Sequence, residues 1–433
     1  MRDRKRATPL DRAIQAYPVH GADAHKHFGC VLHLRGTPPD LHDLRRHLET
    51  RISLLPGLRN VMDARSGNWR TVNSDPAAHV EERALPPGDD ALRGAVREVL
   101  GAPLAEGAPP WMLTLLRDDR SGRNALVYRV HHAFQDGAGM LHTLETLFAP
   151  APVAPHESSA VYRKGEGVRL SRPGDWFRAG ALMLGSLRPS RVWKAPGHRF
   201  SSSRDLECVA VPAAWLRPPA GDGSSRNDVF LAATARAVRD WAAEFDAGSA
   251  PRDEVRMLVP ANVRTSRQVS VPGNRVVLLP VPVPAPPAAP AEHLAQVRPS
   301  TWALRNPATR LVADRLGRST PHRLAALHLR SFGTPSRALP IVSHLTLRHP
   351  LTVLGAEVVR LDPLMCLPEG FPFAALIITH GETSVVCFVT DSSLPGLSTL
   401  SRRWHDALKD LGAAGHGTVP DGPRAVSADG HRE

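Results

Sequence analysis

The segment Tyr128 to Phe148 reads YRVHHAFQDGAGMLHTLETLF. A strand-like stretch, Ala125 to Val130, runs into two adjacent histidines, a short loop carries Asp136-Gly137, and a helix follows. That helix has Met140, Leu141, Leu144, Leu147 and Phe148 on its apolar face. Side chains alternate along an extended chain, so His131 and His132 point to opposite sides and only one faces a given cleft. A neutral imidazole, with an ordinary pKa of about 6.5, can take a proton from a hydroxyl or amine attacking an acyl carbonyl and return it to the leaving group. Gly137 and Gly139 let the backbone turn into the helix. A bare His-x-x-x-Asp carries no weight, because 21 histidines make one by accident. The full HHxxxDG between strand and helix is rarer. Against it stands the plain reading of His132 as an interior histidine and Asp136 as a turn residue.

Outward from this segment the chain alternates helical and strand-like stretches, an α/β (α+β) pattern. His42 to Ile52 reads as a helix, closed by Leu54-Leu55-Pro56-Gly57, and Met112 to Leu116 as a strand. Residues 1–150 form a first unit. Ala149 to Ser203 is rich in Pro, Ser, Gly and Arg and contains a basic amphipathic stretch, Trp176 to Leu187, so 151–204 reads as a crossover. A second unit, 205–411, opens with a strand at Leu206 to Val211. GDGSSRNDVFLAATARAVRDWAAEF follows, with Phe230, Thr234, Ala237, Trp241 and Phe245 at helical spacing and Ser225 or Asn227 as the capping oxygen. Strands are expected at Val255–Val259, Arg275–Leu279, Ala374–Thr379 and Thr383–Phe388, the last two a hairpin around His380-Gly381. A final helix, Leu400 to Leu411, precedes a loose tail, 412–433.

Composition narrows the function classes. The 433 residues are 42% hydrophobic and 22% charged, which excludes collagen-like, coiled-coil and wholly disordered chains. The net charge of +12 would raise nucleic acid as a partner. However, the 54 basic residues are 5 lysines and 49 arginines spread along the chain, with 3 tyrosines and 11 phenylalanines for stacking, so no specific nucleic-acid role is expected. Cys30, Cys208, Cys366 and Cys387 are scattered and read as reduced packing residues. His25-Lys26-His27 and His20 read as exposed loop histidines, and no metal site is expected. The charged N-terminus is unlike a secretory signal, and the longest apolar run, Val276 to Ala291, holds six prolines and cannot span a bilayer. The expected location is cytoplasmic, with at most peripheral contact at the inner membrane face through Trp176 to Leu187, which reads more simply as a packing helix. No G-x-S-x-G, G-x-x-x-x-G-K-[ST] or strand-linked G-x-G-x-x-G competes with the histidine segment.

At several points the sequence resembles the bacterial wax ester synthase/diacylglycerol acyltransferase-like family, a branch of the condensation-domain and chloramphenicol-acetyltransferase-like superfamily. The similar segments are Thr8-Pro9-Leu10-Asp11, Pro109-Pro110-Trp111, HHxxxDG, and SSRNDVFLAATARAVRDW with Asn227-Asp228. VRMLVPANVRTSRQVSVPGNRVVLLPVPVP with Gly273-Asn274-Arg275 continues the series, followed by PLTVLGAEVVRLDPL and FAALIITHGETSVVCFVTD. The resemblance implies two chloramphenicol-acetyltransferase-like subdomains with mixed sheets and a central tunnel, His132 at its midpoint. It implies an acyltransferase, O- rather than N-, taking an acyl group from acyl-CoA or a phosphopantetheine thioester to a small-molecule acceptor, with no bound cofactor and no covalent enzyme intermediate. In it His132 is the general base, His131, Asp136 and Gly137 support the motif, and Asp136 holds the loop through an arginine. Asn227 positions the acceptor or steadies the oxyanion, and Asp228 caps or supports its helix. Helix capping alone would equally explain both residues. Where the family has Ser-Asn-Val-Pro-Gly-Pro, this chain reads Ser343-His344-Leu345-Thr346-Leu347-Arg348, placing Ser343 and His344 on the tunnel wall and opening the acceptor's identity. Two alternatives stand: a condensation-type enzyme served by an acyl carrier protein and forming an ester or amide, and a noncatalytic relative that binds a hydrophobic ligand or a protein.

Overall fold

The computed structural model describes residues 6–413, apart from 20, 22–24, 89, 119–121, 164–171, 186–187, 190–191, 194–199, 220, 222, 247–253, 287–288 and 335–336. The first half runs α1 (Pro9–Ala16), β1 (His27–Arg35), α2 (Leu41–Arg51), β2 (Asn60–Met62), β3 (Trp69–Thr71), β4 (Val80–Ala84), α3 (Ala91–Gly101), β5 (Trp111–Arg117), β6 (Asn124–His131) and α4 (Gly137–Phe148). Then come α5 (Pro173–Gly185), β7 (Arg204–Pro212), α6 (Arg226–Phe245), β8 (Glu254–Asn262), β9 (Val276–Pro284), α7 (Pro290–Ser300), α8 (Trp302–Arg305), α9 (Pro307–Ser319) and α10 (His322–Ser331). The chain closes with β10 (Ile341–Leu347), β11 (Thr352–Val353), β12 (Ala356–Leu364), β13 (Phe373–His380), β14 (Thr383–Asp391) and α11 (Leu400–Ala413).

Two mixed six-stranded sheets organise these elements, ordered β11-β12-β1-β6-β5-β4 and β7-β14-β13-β10-β8-β9, with β2-β3 as a small ribbon. The expected α/β fold with mixed sheets is what forms. β4–β5 and β10–β13 are parallel, and most other pairs antiparallel. The strand β12, late in the chain, joins the first sheet beside β1, with Gly29 opposite Leu364. Gly29 is required at that sheet position, because a Cβ there would stand 1.8 Å from the Tyr128 carbonyl oxygen.

Each sheet buries a helix whose sequence explains its seat. α6 starts on a reciprocal cap in which Ser225 Oγ accepts from the Asp228 amide and the Asp228 carboxylate accepts from the Ser225 amide. Ser225, therefore, and not Asn227, is the capping residue. Phe230, Thr234, Ala237 and Trp241 are buried, whereas Phe245 is partly exposed beneath the Arg403 guanidinium. α4 is buried on every face from Ala138 onward rather than on one stripe. Its polar residues are hydrogen-bonded: Glu145 accepts from Ser158 and Ser159, and His142 meets Ser158 and Ser270.

Several boundaries differ from the sequence expectation for identifiable reasons. β9 runs on to Pro284, and Pro280, Pro282 and Pro284 are tolerated because β9 is an edge strand and the three share one parity, facing away from β8 pairing demands. The stretch around Trp176 is helical from Pro173 to Gly185, and α11 continues to Ala413, while residues 414–433 of the tail lie outside the described residues. His27 is not an exposed loop histidine: it opens β1, is buried, and pairs its Nδ1 with the Leu100 carbonyl. His20 lies outside the described residues. The cysteines correct the reduced reading in part. Cys208 and Cys387 stand opposite one another on β7 and β14 and form a disulfide across 179 residues, a separation at which spacing carries no signal, whereas Cys30 and Cys366 are free and buried.

Candidate active site

β6 ends at His131, and the chain turns through His132 to Gln135 before α4 begins at Gly137. The His132 amide still donates to the Lys26 carbonyl at 2.9 Å, which keeps the histidine at the sheet's end. The two histidines part company there. His132 lines a cavity of 440 Å³ that His131 does not reach. His131 instead accepts the Ala133 amide at Nδ1, and burial, with Lys26 and its histidine neighbours, pulls its pKa down to about 3.

Asp136 borders the cavity but spends both carboxylate oxygens on its own donors. Oδ1 accepts the Gly139 amide at 2.7 Å and caps α4, while Oδ2 accepts from Arg264 Nη2 at 2.9 Å and from the Arg275 amide at 2.6 Å. Burial pushes this carboxyl up, but the Arg264 guanidinium and the two amides outweigh it and hold the pKa below 3.8. Arg264 is fully buried and donates through Nη1 to the carbonyls of Gln268 and Val271 and through Nη2 to that of Gly273, while its Nε has no hydrogen-bond partner among the described residues. The 264–275 segment therefore clamps the histidine loop. Gly273 meets Gln135 in a bridge, and its amide donates to the Phe134 carbonyl.

A third layer was not identified in the sequence as part of the site. Asn274 Nδ2 donates to the His132 carbonyl at 2.9 Å and to Asp11 Oδ1 at 3.0 Å, and its amide donates to the same Asp11 oxygen at 2.7 Å. Asp11 is fully buried and takes the Thr8 amide as well, closing the cap of α1. Gly273 has φ +85°, and a Cβ there would lie 2.4 Å from Asp11 Oδ2, so glycine is needed on both counts. His132 Nδ1 and Asn274 Oδ1 are each buried without a hydrogen-bond partner. Burial lowers the His132 pKa below 6.5, and its own carbonyl, Asp136, Asp11 and Asn274 offset this only in part. The imidazole is therefore neutral at pH 7. The signal for Asn274 was in the sequence, as Gly-Asn-Arg after a proline, but spacing says nothing about which loop it grips.

The cavity brings the other expected residues together. Asp136, Gly137, Asn227, Asp228, Ser343 and His344 all line it. Gly137 is tight against β10, since an added Cβ would meet Leu345 Cδ1 at 2.8 Å. Asn227 sits in the first turn of α6 and makes no side-chain hydrogen bond among the described residues, whereas Asp228 bonds Ser225 and Arg305 and leaves Oδ1 buried and unpartnered. The segment from Ser343 lacks a Pro-Gly turn and so remains a strand. β10 pairs with β13 over all seven residues but meets β8 at one position, Ile341–Leu258, and the cavity opens where β8 and β10 diverge. His344 contacts Thr379 Oγ1 at 3.3 Å, and burial, helped by Arg226, lowers its pKa to about 4. Arg348 follows at the cavity wall, with its amide on Ser159 Oγ and its Nη1 on the Ser158 carbonyl.

Residues 16–185, which hold this histidine loop, match the family described as the wax ester synthase/diacylglycerol acyltransferase catalytic domain. Over those residues the chain is similar to the catalytic domain of that family. A putative diacylglycerol O-acyltransferase of Mycobacterium tuberculosis is 26% identical over 362 residues, 73% of this chain and 70% of that protein. Among solved structures, the wax ester synthase/diacylglycerol acyltransferase of Marinobacter aquaeolei VT8 superposes with a TM-score of 0.61 at 17% identity, over 95% of this chain and 99% of that one. A mutant starter condensation domain of rhizomide synthetase in complex with C8-CoA superposes at 0.65 and 15% identity, over 95% of both chains. These likenesses show that the chain shares its fold with the wax ester synthase and the condensation domain. Among the described residues no helix is long and apolar enough to cross a membrane.

Proposed function

We propose that this chain is an acyltransferase that moves an acyl group from an acyl-CoA to a hydroxyl acceptor by direct attack, with His132 as general base. The observation that carries the reading is the neutral, cavity-facing imidazole of His132, held by its backbone and orphaned at Nδ1 beside Asn274. With the proton on Nδ1, which the His132 carbonyl and the Asn274 side chain favour, Nε2 keeps its lone pair for the acceptor. The acceptor O–H gives its proton to Nε2 as its oxygen bonds to the thioester carbonyl. The carbonyl electrons move to oxygen, and their return breaks the C–S bond. The thiolate leaves with the proton from Nε2, and His132 ends neutral.

Asn227 supports an oxyanion or acceptor role because its amide lines the cavity without an internal partner. Asp136 and Asp228 serve as structural anchors through Arg264 and Arg305. Acyl-CoA as donor is supported by the C8-CoA bound to the rhizomide starter condensation domain, and a hydroxyl acceptor by the names of the mycobacterial relatives. Apolar substrates suit peripheral attachment to a lipid surface, where Phe177 of α5 is 79% exposed beside Arg178. Cosedimentation with anionic vesicles, abolished in Phe177→Glu, is the expected result.

A second reading, a carrier-protein thioester donor, is favoured by the superposition on condensation domains. Incubation with acyl-CoA or acyl-carrier protein and a mixed panel of alcohols and amines, read by mass spectrometry, separates the two. Ester formation from acyl-CoA supports the first. Product from the carrier protein alone supports the second, and no product from either overturns both.

A further inference from the structure

β10 carries a second histidine to the cavity. His344 lies opposite Ile377 of β13, and its neighbour Leu345 packs on Gly137, so the imidazole stands one residue from the contact between β10 and the histidine loop. Phe230 of α6 meets the ring edge-on, with 6.3 Å between centroids. Phe230 follows Asn227 by three residues, one turn along the same face of α6, which puts the imidazole and the Asn227 amide at one end of the cavity.

The groups beside this imidazole do not depend on it. Nε2 contacts Thr379 Oγ1 at 3.3 Å, but Thr379 and Ser384 already bond each other at 2.8 Å, and both are buried. Nδ1 has no hydrogen-bond partner among the described residues. His344 keeps part of its surface accessible and lines the cavity, whose walls are largely aliphatic at Leu141, Leu304 and Leu345. A leucine would serve a purely hydrocarbon ligand better, because a ring nitrogen set against an alkyl chain loses its hydration without replacement.

We propose that His344 is a specificity-determining residue that receives a second, unreacting hydroxyl of the acceptor, so that the preferred acceptor is a diol or polyol rather than a simple alcohol. Thr379 Oγ1 can donate or accept, which leaves Nδ1 free to accept or to donate in turn, and a hydroxyl satisfies either tautomer. Charge selects the same group. Burial and the Arg226 guanidinium keep the His344 ring neutral, and an ammonium on the ligand would add to that positive charge. A carboxylate would share the cavity with the Asp228 carboxylate. The proposal rests on the acyl-transfer reading for the hydroxyl that gives up its proton at His132.

The test compares His344→Asn, His344→Gln and His344→Phe in the full chain, with thermal melts to verify folding. The asparagine amide reaches the place of Nδ1 and the glutamine amide that of Nε2, so only His344→Asn keeps the free group. Each protein is assayed at a fixed octanoyl-CoA concentration with 1-octanol and with 1,2-, 1,3- and 1,4-octanediol. The readout is the ratio of kcat/KM for the best diol to that for 1-octanol. The wild type should favour a diol by about 3- to 12-fold, the worth of one neutral hydrogen bond. His344→Asn should retain that ratio, whereas His344→Gln and His344→Phe should bring it to about one. A wild-type ratio near one, or a ratio lost in His344→Asn but kept in His344→Gln, overturns the proposal. A uniform fall with every acceptor that leaves the ratio unchanged in all three variants overturns it too. Where no acceptor is turned over, isothermal titration with the same diols and 1-octanol decides separately. Tighter diol binding that His344→Gln and His344→Phe abolish supports the site while the acyl-transfer reading fails, and equal or absent binding removes the site.

Discussion

Replacing Asp136 by Asn keeps one of its jobs and destroys the others. The remaining amide oxygen can still cap α4 at the Gly139 amide. The new NH2 group, however, would face Arg264 Nη2 and the Arg275 amide, two donors that now lie 2.9 and 2.6 Å from Oδ2. Arg264 is fully buried, so its charge would lose its only carboxylate among the described residues without gaining water. Breaking a buried ion pair from one side costs about 3–5 kcal/mol, most of it the penalty of the stranded charge. The assay is urea unfolding at pH 7, read as a midpoint shift at constant slope. The acid limb provides an independent check. The folded pKa of Asp136 lies below its unfolded value of 3.8, so its stabilisation is fully present above that value and is lost as pH falls through the folded pKa. The wild type should lose its advantage over Asp136→Asn below about pH 4, and the two curves converge. Destabilisation of less than about 1 kcal/mol at pH 7, or a gap that persists to the lowest pH, would show that Arg264 does not depend on this carboxylate.

Other expectations follow from the same geometry. Asn274→Ala should fold, as judged by a melt, yet lose at least about tenfold in kcat with little change in KM, because it removes the hydrogen bond that holds the His132 carbonyl and so frees the histidine loop; a kcat within twofold contradicts this. Gly273→Ala should destabilise the protein by more than about 1 kcal/mol, since φ +85° and the Asp11 carboxylate both oppose a methyl group; an unchanged denaturation midpoint would be the opposing result. In the kcat/KM pH profile, the acid limb should lie below 6.5, because burial lowers the imidazole pKa and the base stays neutral further into acid; a limb at or above 6.5 assigns the titration to another group.

The histidine loop was readable in the sequence because its information is local. Strand, paired histidines, Asp136-Gly137 and an apolar helix lie within 21 residues, and periodicity alone sets them in order. α6 was equally legible through its apolar spacing and a capping oxygen at Ser225 or Asn227, between which only the structure chooses. What the sequence hid is nonlocal. Arg264 lies 128 residues from Asp136 and Asn274 lies 263 from Asp11, so the clamp exists only after the sheets form. The insertion of β12 beside β1 escaped for the same reason, as did the Cys208–Cys387 pairing. The proline-rich β9 failed as a long strand in sequence because propensity does not know that the strand is an edge.

The central claim is that the His132 imidazole takes the acceptor's proton. Initial rates of acyl transfer by purified, folded His132→Ala at pH 7, under saturating acyl-CoA and acceptor, test it most directly. The account predicts a loss of at least about a hundredfold with the fold intact. Turnover within about threefold of the wild type would mean that the proton goes elsewhere and that this ring is packing.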